Sequence, residues 1–175
     1  MTLKVDDFKS KLVGGGARAN LFKVTMSGGP GALVPEVASF MCKAASIPGS
    51  SVAAIPVAFR GRQVQVAGDR TFENWSVTLY NQGDFKLRQQ FEQWLNSLNG
   101  HESGLNTAGL NPGDYQIDMT VDQLDRQENV LATYTIKGAF PISVSAIELG
   151  FDANDAIEEF TVEFAYQYWT SAATS

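Results

Sequence analysis

Side chains able to do chemistry are few and scattered in this chain. It has one histidine, His101, and one cysteine, Cys42. His101 lies in the polar run Asn99-Gly-His-Glu-Ser-Gly104. A catalytic nucleophile needs a base within hydrogen-bond reach and a third group to orient that base. Neither a Ser-His-Asp nor a Cys-His reading has support from position, and a lone loop histidine is most simply a solvated side chain. Cys42, between Met41 and Lys43, reads as a small residue buried on an apolar strand. Two carboxylate pairs, Asp118 with Asp122 and Glu159 with Glu163, have the type for general acid–base work. Both alternate with apolar residues, which places them on the wet faces of amphipathic strands. The run Asp152-Ala-Asn-Asp155 lacks the glycine and distal glutamate of a calcium loop. Gly14-Gly-Gly-Ala-Arg18 lacks the Lys-Ser/Thr pair of a phosphate loop, and a structural zinc site lacks ligands. The residues predict no catalytic group, no cofactor and no metal.

What charge there is concentrates elsewhere. The stretch Ile55 to Asn81 carries Arg60, Arg62 and Arg70 in a chain whose formal charge is -6. It reads as two extended segments around an Arg/Gly turn, a surface for contact with other protein. The acidic balance argues against gripping nucleic acid through phosphates, which takes clustered lysine and arginine. It does not argue against letting nucleic acid pass without sticking. With 175 residues the chain fits one domain spanning 1–175 with a substantial core. One cysteine permits no intrachain disulfide. Lys4, Asp6 and Asp7 interrupt any apolar leader, and no run approaches the ~18 apolar residues of a membrane-spanning helix.

The elements that must position these groups follow from periodicity. Val5, Phe8 and Leu12 are spaced for a short helix opened by Asp6 or Asp7. With the Gly14–Gly16 joint it forms an N-terminal arm, 1–18. Strands are predicted over 20–26, 38–47 (Phe40 and Cys42 on one face), 52–59 (an edge or bulged strand because of Pro56), 62–66 (half-buried) and 72–80. Residues 27–35 are loop. The helix predicted over Asp84–Leu98 has one apolar stripe, Leu87, Phe91, Trp94, Leu95 and Leu98, with Asp84 as N-cap and Gly100 as stop. A polar loop, 99–113, follows. Further strands are predicted over 115–124 and 130–137, the latter continuing past a bulge at Gly138, and a last strand over 157–169, with 170–175 as a flexible tail. Short strands punctuated by Gly, Pro and Asn turns make the fold mainly β, an antiparallel sandwich or barrel with one inserted α-helix.

Several of these segments carry a specific pattern. Cys42-Lys-Ala-Ala-Ser-Ile-Pro48, Ile55-Pro-Val-Ala-Phe59 and Val66-Ala-Gly-Asp-Arg-Thr-Phe-Glu-Asn-Trp75-Ser-Val-Thr78 closely resemble the tail tube protein of contractile-tailed (T4-type) bacteriophages. The likeness continues through Asn20-Leu-Phe22, Arg88-Gln-Gln-Phe-Glu-Gln-Trp94, Tyr134-Thr-Ile-Lys-Gly-Ala-Phe-Pro141, Ile147-Glu-Leu149 and Tyr168-Trp169. It runs in order over most of the chain. The loops 27–37 and 99–113 depart from the pattern.

The resemblance implies a structural subunit of a phage tail tube. Hexameric rings would stack into a hollow tube inside a contractile sheath, with baseplate and tail terminator proteins as further partners. DNA would pass through the lumen unbound, and the protein would reside in the virion after assembly in the host cytoplasm. About four strands per subunit would make a ~24-stranded inner β-barrel, whose backbone diameter at ~4.8 Å spacing and ~40° tilt is roughly 48 Å. Closing such a ring removes lateral sheet edges, and stacking through two unlike surfaces gives an open filament. Six copies at -6 each carry -36 per ring; lumen-facing charge of that sign repels phosphate. The candidate lumen carboxylates are Asp118, Asp122, Glu159 and Glu163, an outward direction being the alternative for each. Arg60, Arg62 and Arg70 are expected to meet acids of a neighbouring subunit, with Asp152, Asp155 and Glu158 as candidates; salt-bridged turns within one subunit are the alternative. Two other functions fit the same residues: a tube protein of a type VI secretion system or contractile bacteriocin, and a monomeric ligand-binding β-sandwich.

Overall fold

The computed structural model describes residues 5–12, 16–26 and 28–174. In chain order the elements are α1 (Val5–Lys11), β1 (Phe22–Met26), α2 (Pro35–Met41), β2 (Cys42–Ala45), β3 (Ser51–Phe59), β4 (Arg62–Thr71), β5 (Trp75–Tyr80), α3 (Lys86–Leu98), α4 (Pro112–Tyr115), β6 (Ile117–Leu124), β7 (Val130–Val144), β8 (Glu159–Ala165) and β9 (Tyr168–Ser171). All strand pairings among these elements are antiparallel.

Two four-stranded layers share β7. The first runs β1-β6-β7-β9 and the second β2-β5-β8-β7. The change of layer falls at Gly138, whose φ of 64° is open to glycine at little steric cost. A Cβ there would come within 2.9 Å of both Gln116 Oε1 and Gln167 Cγ. Before this glycine β7 pairs with β6 on one side and β9 on the other; from Phe140 onward it pairs with β8, Ala139 keeping one last pairing with Ile117 of β6. Alternation then fills the core. Val24, Met26, Met119, Val121 and Ile136 point inward from the first layer; Trp75, Val77, Leu79, Phe160, Val162 and Phe164 point inward from the second.

Helix α3 closes this core with the predicted stripe: Leu87, Phe91 and Trp94 are fully buried. Phe164 is the meeting point, with ring centroids of Trp75, Phe91 and Trp94 at 5.7, 6.0 and 6.5 Å. Gly31 lets the loop before α2 lie on α3, because a Cβ there would stand 2.3 Å from the Gln90 carbonyl oxygen.

Several predicted boundaries change. Residues 35–41 are helix, so the strand expected over 38–47 shrinks to β2. Pro35 supplies a preset φ at the first helical turn and Glu36 favours the positive end of the helix dipole. Of that helix only Ala38 is buried, and Phe40 faces out. The last strand, expected to be continuous over 157–169, breaks at Tyr166–Gln167 opposite Gly138, where the Gln167 N–H donates to the Lys137 carbonyl at 3.0 Å. Thr170 and Ser171, expected in the tail, complete β9. The N-cap of α3 is Phe85, held at φ 56°, and its C-cap is Asn99. Asp84 still accepts the Lys86 backbone N–H at 3.2 Å. The strand expected to begin at Tyr115 begins at Ile117, because Asn111 and Asp114 form a capping box that makes 112–115 a helical turn. The strand predicted over 72–80 begins at Trp75. Alongside the one predicted long helix stand α1, α2 and α4. The Gly14–Gly15 joint and residues 1–4 lie outside the described residues.

Candidate subunit interface

The stretch carrying the three arginines is a two-stranded ribbon, β3 with β4, separate from the shared-strand layers. Its turn is Arg60–Gly61, with φ values of 46° and 77°; positive φ at both positions is the twist-matched geometry of two-residue hairpins. Every residue of β3 is exposed, as is every residue of β4 except the half-buried Gly68. The half-burial expected over 62–66 is therefore absent: among the described residues no layer lies against either face. An isolated two-stranded ribbon is marginal in water, and this one displays valine, isoleucine and phenylalanine.

Two indoles hold the ribbon's root. The chain has three tryptophans, and each indole N–H donates to a backbone carbonyl. Trp75 donates to Ser46 at 2.7 Å and Trp169 to Gly49 at 3.1 Å, both in the link between β2 and β3. Trp94 donates to Tyr115 at 3.0 Å, just before β6. Ser51 and Thr71 hydroxyls meet at 2.8 Å across the ribbon's base, and Phe72 lies against Tyr166 at 6.0 Å.

The ion pairs among the described residues are Lys43–Glu159, Lys86–Asp84, Arg88–Glu92 and Lys137–Asp118; none involves a ribbon arginine. Arg60 lies over the Phe59 ring at 5.3 Å. Arg70 donates to the Ser50 hydroxyl at 3.1 Å. Asp152 and Asp155 are exposed in the loop between β7 and β8. Glu158 differs from them: its carboxylate accepts the Asn81 side-chain N–H at 2.9 Å and its carbonyl accepts the Asn81 backbone N–H at 2.8 Å. It closes the end of the β5–β8 pair.

The four carboxylates expected at a lumen fall on two outer faces. Asp118 and Asp122 stand on the first layer, Glu159 and Glu163 on the second. Asp118 accepts from Lys137 Nζ at 2.5 Å and from the Gly138 N–H at 3.2 Å. The Lys137 ammonium holds the Asp118 carboxyl below its usual range, and the carboxylate raises Lys137 in return. Asp122 accepts from Thr133 at 2.6 Å. Glu159 pairs with Lys43, whose ammonium it raises. Glu163 accepts from Asn74 at 3.0 Å and Ser143 at 3.4 Å. Side chains from the same sheets or their flanks thus occupy all four, as on wet strand faces.

The remaining chemistry-bearing side chains stay apart. His101 Nδ1 lies 3.0 Å from Asn96 Oδ1, on the rim of an open cleft of about 590 Å³ lined by Arg88, Glu92 and Asn96 among others. Cys42 is half-buried on β2, and burial pushes its thiol up to about 11, away from the reactive thiolate. Among the described residues no group of three His, Cys, Asp or Glu side chains is placed to hold a metal ion, and no helix is long and apolar enough to cross a membrane.

The residues missed by sequence reasoning are apolar. Phe40, Leu149, Phe151 and Ile157 are strongly exposed. The signal for the ribbon was present in the alternation of Ile55, Val57 and Phe59 with Val64 and Val66; nothing in the sequence said that no layer covers it.

The architecture is that of a mainly β sandwich with a separate two-stranded ribbon. The family model for phage tail tube protein matches residues 11–172. Tail tube protein gp19 of Enterobacteria phage T4 is 36% identical over 154 residues, covering 87% of this chain and 90% of that one. The tail tube protein of Serratia phage KSP90 is 30% identical over 167 residues, covering 93% of each. The chain belongs to the phage tail tube protein family. Among solved structures, the anti-feeding prophage tube-terminating cap superposes with a TM-score of 0.64 at 16% identity, covering 91% of both chains. The sheath–tube complex of the extracellular contractile injection system PVC, in the extended state, gives 0.57 at 16% identity, covering 98% of this chain and 100% of that one. A type six secretion system protein gives 0.52 at 10% identity, covering 86% and 81%. These likenesses show a shared fold; the sequence relatives assign the phage family and a place in the virion tail.

Proposed function

We propose that this chain is a non-catalytic tube subunit of a contractile phage tail, assembled in the host cytoplasm into six-membered rings that stack inside a sheath and bind baseplate and terminator proteins at the ends. The observation that carries this reading is the ribbon β3–β4, exposed on both faces and rooted by two tryptophans. A segment of that composition gains stability by being covered, and neighbouring subunits of a tube supply the cover. Arg60, Arg62 and Arg70 point the ribbon toward acids of a neighbour, with Asp152 and Asp155 as partners; Glu158 is held by Asn81 and contributes less. A sandwich in a ring turns one layer inward, so one carboxylate pair, Asp118 with Asp122 or Glu159 with Glu163, lines the lumen. DNA slides past that like-charged wall.

Size-exclusion chromatography with negative-stain microscopy of the purified full chain tests the reading. Rings or tubes with a central channel are expected. A single small species across concentrations overturns it.

A further inference from the structure

The ladder register sorts the ribbon's side chains into two unlike faces. Residues paired across an antiparallel ladder share a face. Ile55 pairs with Val66, Val57 with Val64 and Phe59 with Arg62; Ala54 pairs with Ala67, Pro56 with Gln65 and Ala58 with Gln63. One face is therefore branched and aromatic with Arg62 at its tip, and the other is small or amide. The five large apolar residues of the first face are 48% to 61% exposed. At its base a Cβ on Gly68 would come 3.0 Å from Ile55 Cγ1 and 3.1 Å from the Ala53 carbonyl oxygen, so glycine keeps that face flat where the register shifts.

The ribbon also differs in charge from the rest of the chain. Between Ser51 and Thr71, three arginines and one aspartate give +2; with -6 overall, the remainder carries -8. One loop of that remainder combines matching properties. Leu149, Phe151 and Ile157 are 79%, 104% and 70% exposed, interleaved with Glu148, Asp152 and Asp155. Both surfaces stand open, so neither covers the other within one chain.

We infer that the Ile55/Val57/Val64/Val66 face of the ribbon is laid on a second copy of this chain, against its 148–157 loop, while the Ala54/Pro56/Gln65 face turns away. Apolar side chains meet apolar side chains at the centre, and the arginines of the turn and base meet the loop's acids at the rim. The two surfaces are unlike, so the contact is heterologous and propagates along a stack. This rests on the tube-subunit reading and adds which face docks and where.

The test uses full-length protein with Cys42→Ala, assembled into tubes and treated with a short bismaleimide. Val64→Cys combined with Phe151→Cys is expected to give a ladder of linked subunits that neither single variant gives. Gln65→Cys with Phe151→Cys is expected to give about tenfold less, since its side chain leaves the opposite face. In parallel, Val64→Glu lowers the sedimented tube fraction about tenfold or more, as when an unpaired charge enters an apolar contact. Gln65→Glu leaves that fraction unchanged, and circular dichroism confirms that both variants fold. Equal linking from both faces, linking from Val64 only to added sheath protein, or unimpaired assembly of Val64→Glu overturns the inference while the tube reading stands. Absence of rings or tubes from the unsubstituted chain overturns both.

Discussion

Asp118 shows how a single carboxylate is fixed on a wet strand face. Lys137 opposite it and the Gly138 N–H beside it both favour the charged form. A native carboxyl held below its unfolded value adds stability that is present above the unfolded value and lost as pH falls through the native one. Asp125, held down by the Asn129 side chain and then its N–H, acts in the same window. The urea midpoint is therefore expected to hold steady from neutral pH down to about pH 5 and fall below about pH 4. Asp118→Asn should flatten that acid limb, and an unchanged limb would show that the pair contributes nothing. Lys137 carries the opposite sign: its contribution is complete below the unfolded lysine value and fades as pH rises through the raised native value. The strand position of Asp118 was legible from alternation. Its partner was not, because Lys137 lies 19 residues away and only the β6–β7 register brings them together.

At the scale of the element, the ribbon is governed by its root. Trp169→Phe removes the N–H that reaches Gly49 and keeps most of the ring. The expected cost to the isolated subunit is about 1 kcal/mol, with faster amide hydrogen exchange confined to the β2–β3 link and the ribbon's base. Uniformly faster exchange would place the effect in the core instead. Arg70→Glu tests the rim contact. Tubes should weaken while the monomer stays folded; Ser50→Ala, which deletes the local partner of Arg70, should leave assembly intact. If both variants behave alike, Arg70 serves the base of its own ribbon and not a neighbour. Alternation made the ribbon's strands legible; it misjudged Arg62–Val66 as half-buried because alternation records that a face is apolar and not what covers it. The helix at 35–41 was missed for a related reason: with one buried residue, Ala38, it has no apolar period to read, and Pro35 and Glu36 are signals of a helix start alone.

At the scale of the whole molecule, the two outer faces decide how charge is distributed in a tube. Replacing Asp118 and Asp122 with lysine, and separately Glu159 and Glu163, is expected to slow DNA ejection from assembled particles in one pair of variants only. The slowed pair marks the layer that lines the lumen. Equal, unaltered ejection in both would remove the electrostatic account of passage.

The sequence by itself determined the family, the mainly β composition, the α3 stripe and the turn at Arg60–Gly61, because each rests on local periodicity or on a contiguous residue pattern. The tertiary structure alone decided that β7 serves two layers through Gly138, that Asp118/Asp122 and Glu159/Glu163 lie on different faces, and that the ribbon stands uncovered. Those facts depend on which strand pairs with which, and pairing over long separations follows from the packing of the whole core around Phe164, Phe91 and the three tryptophan staples.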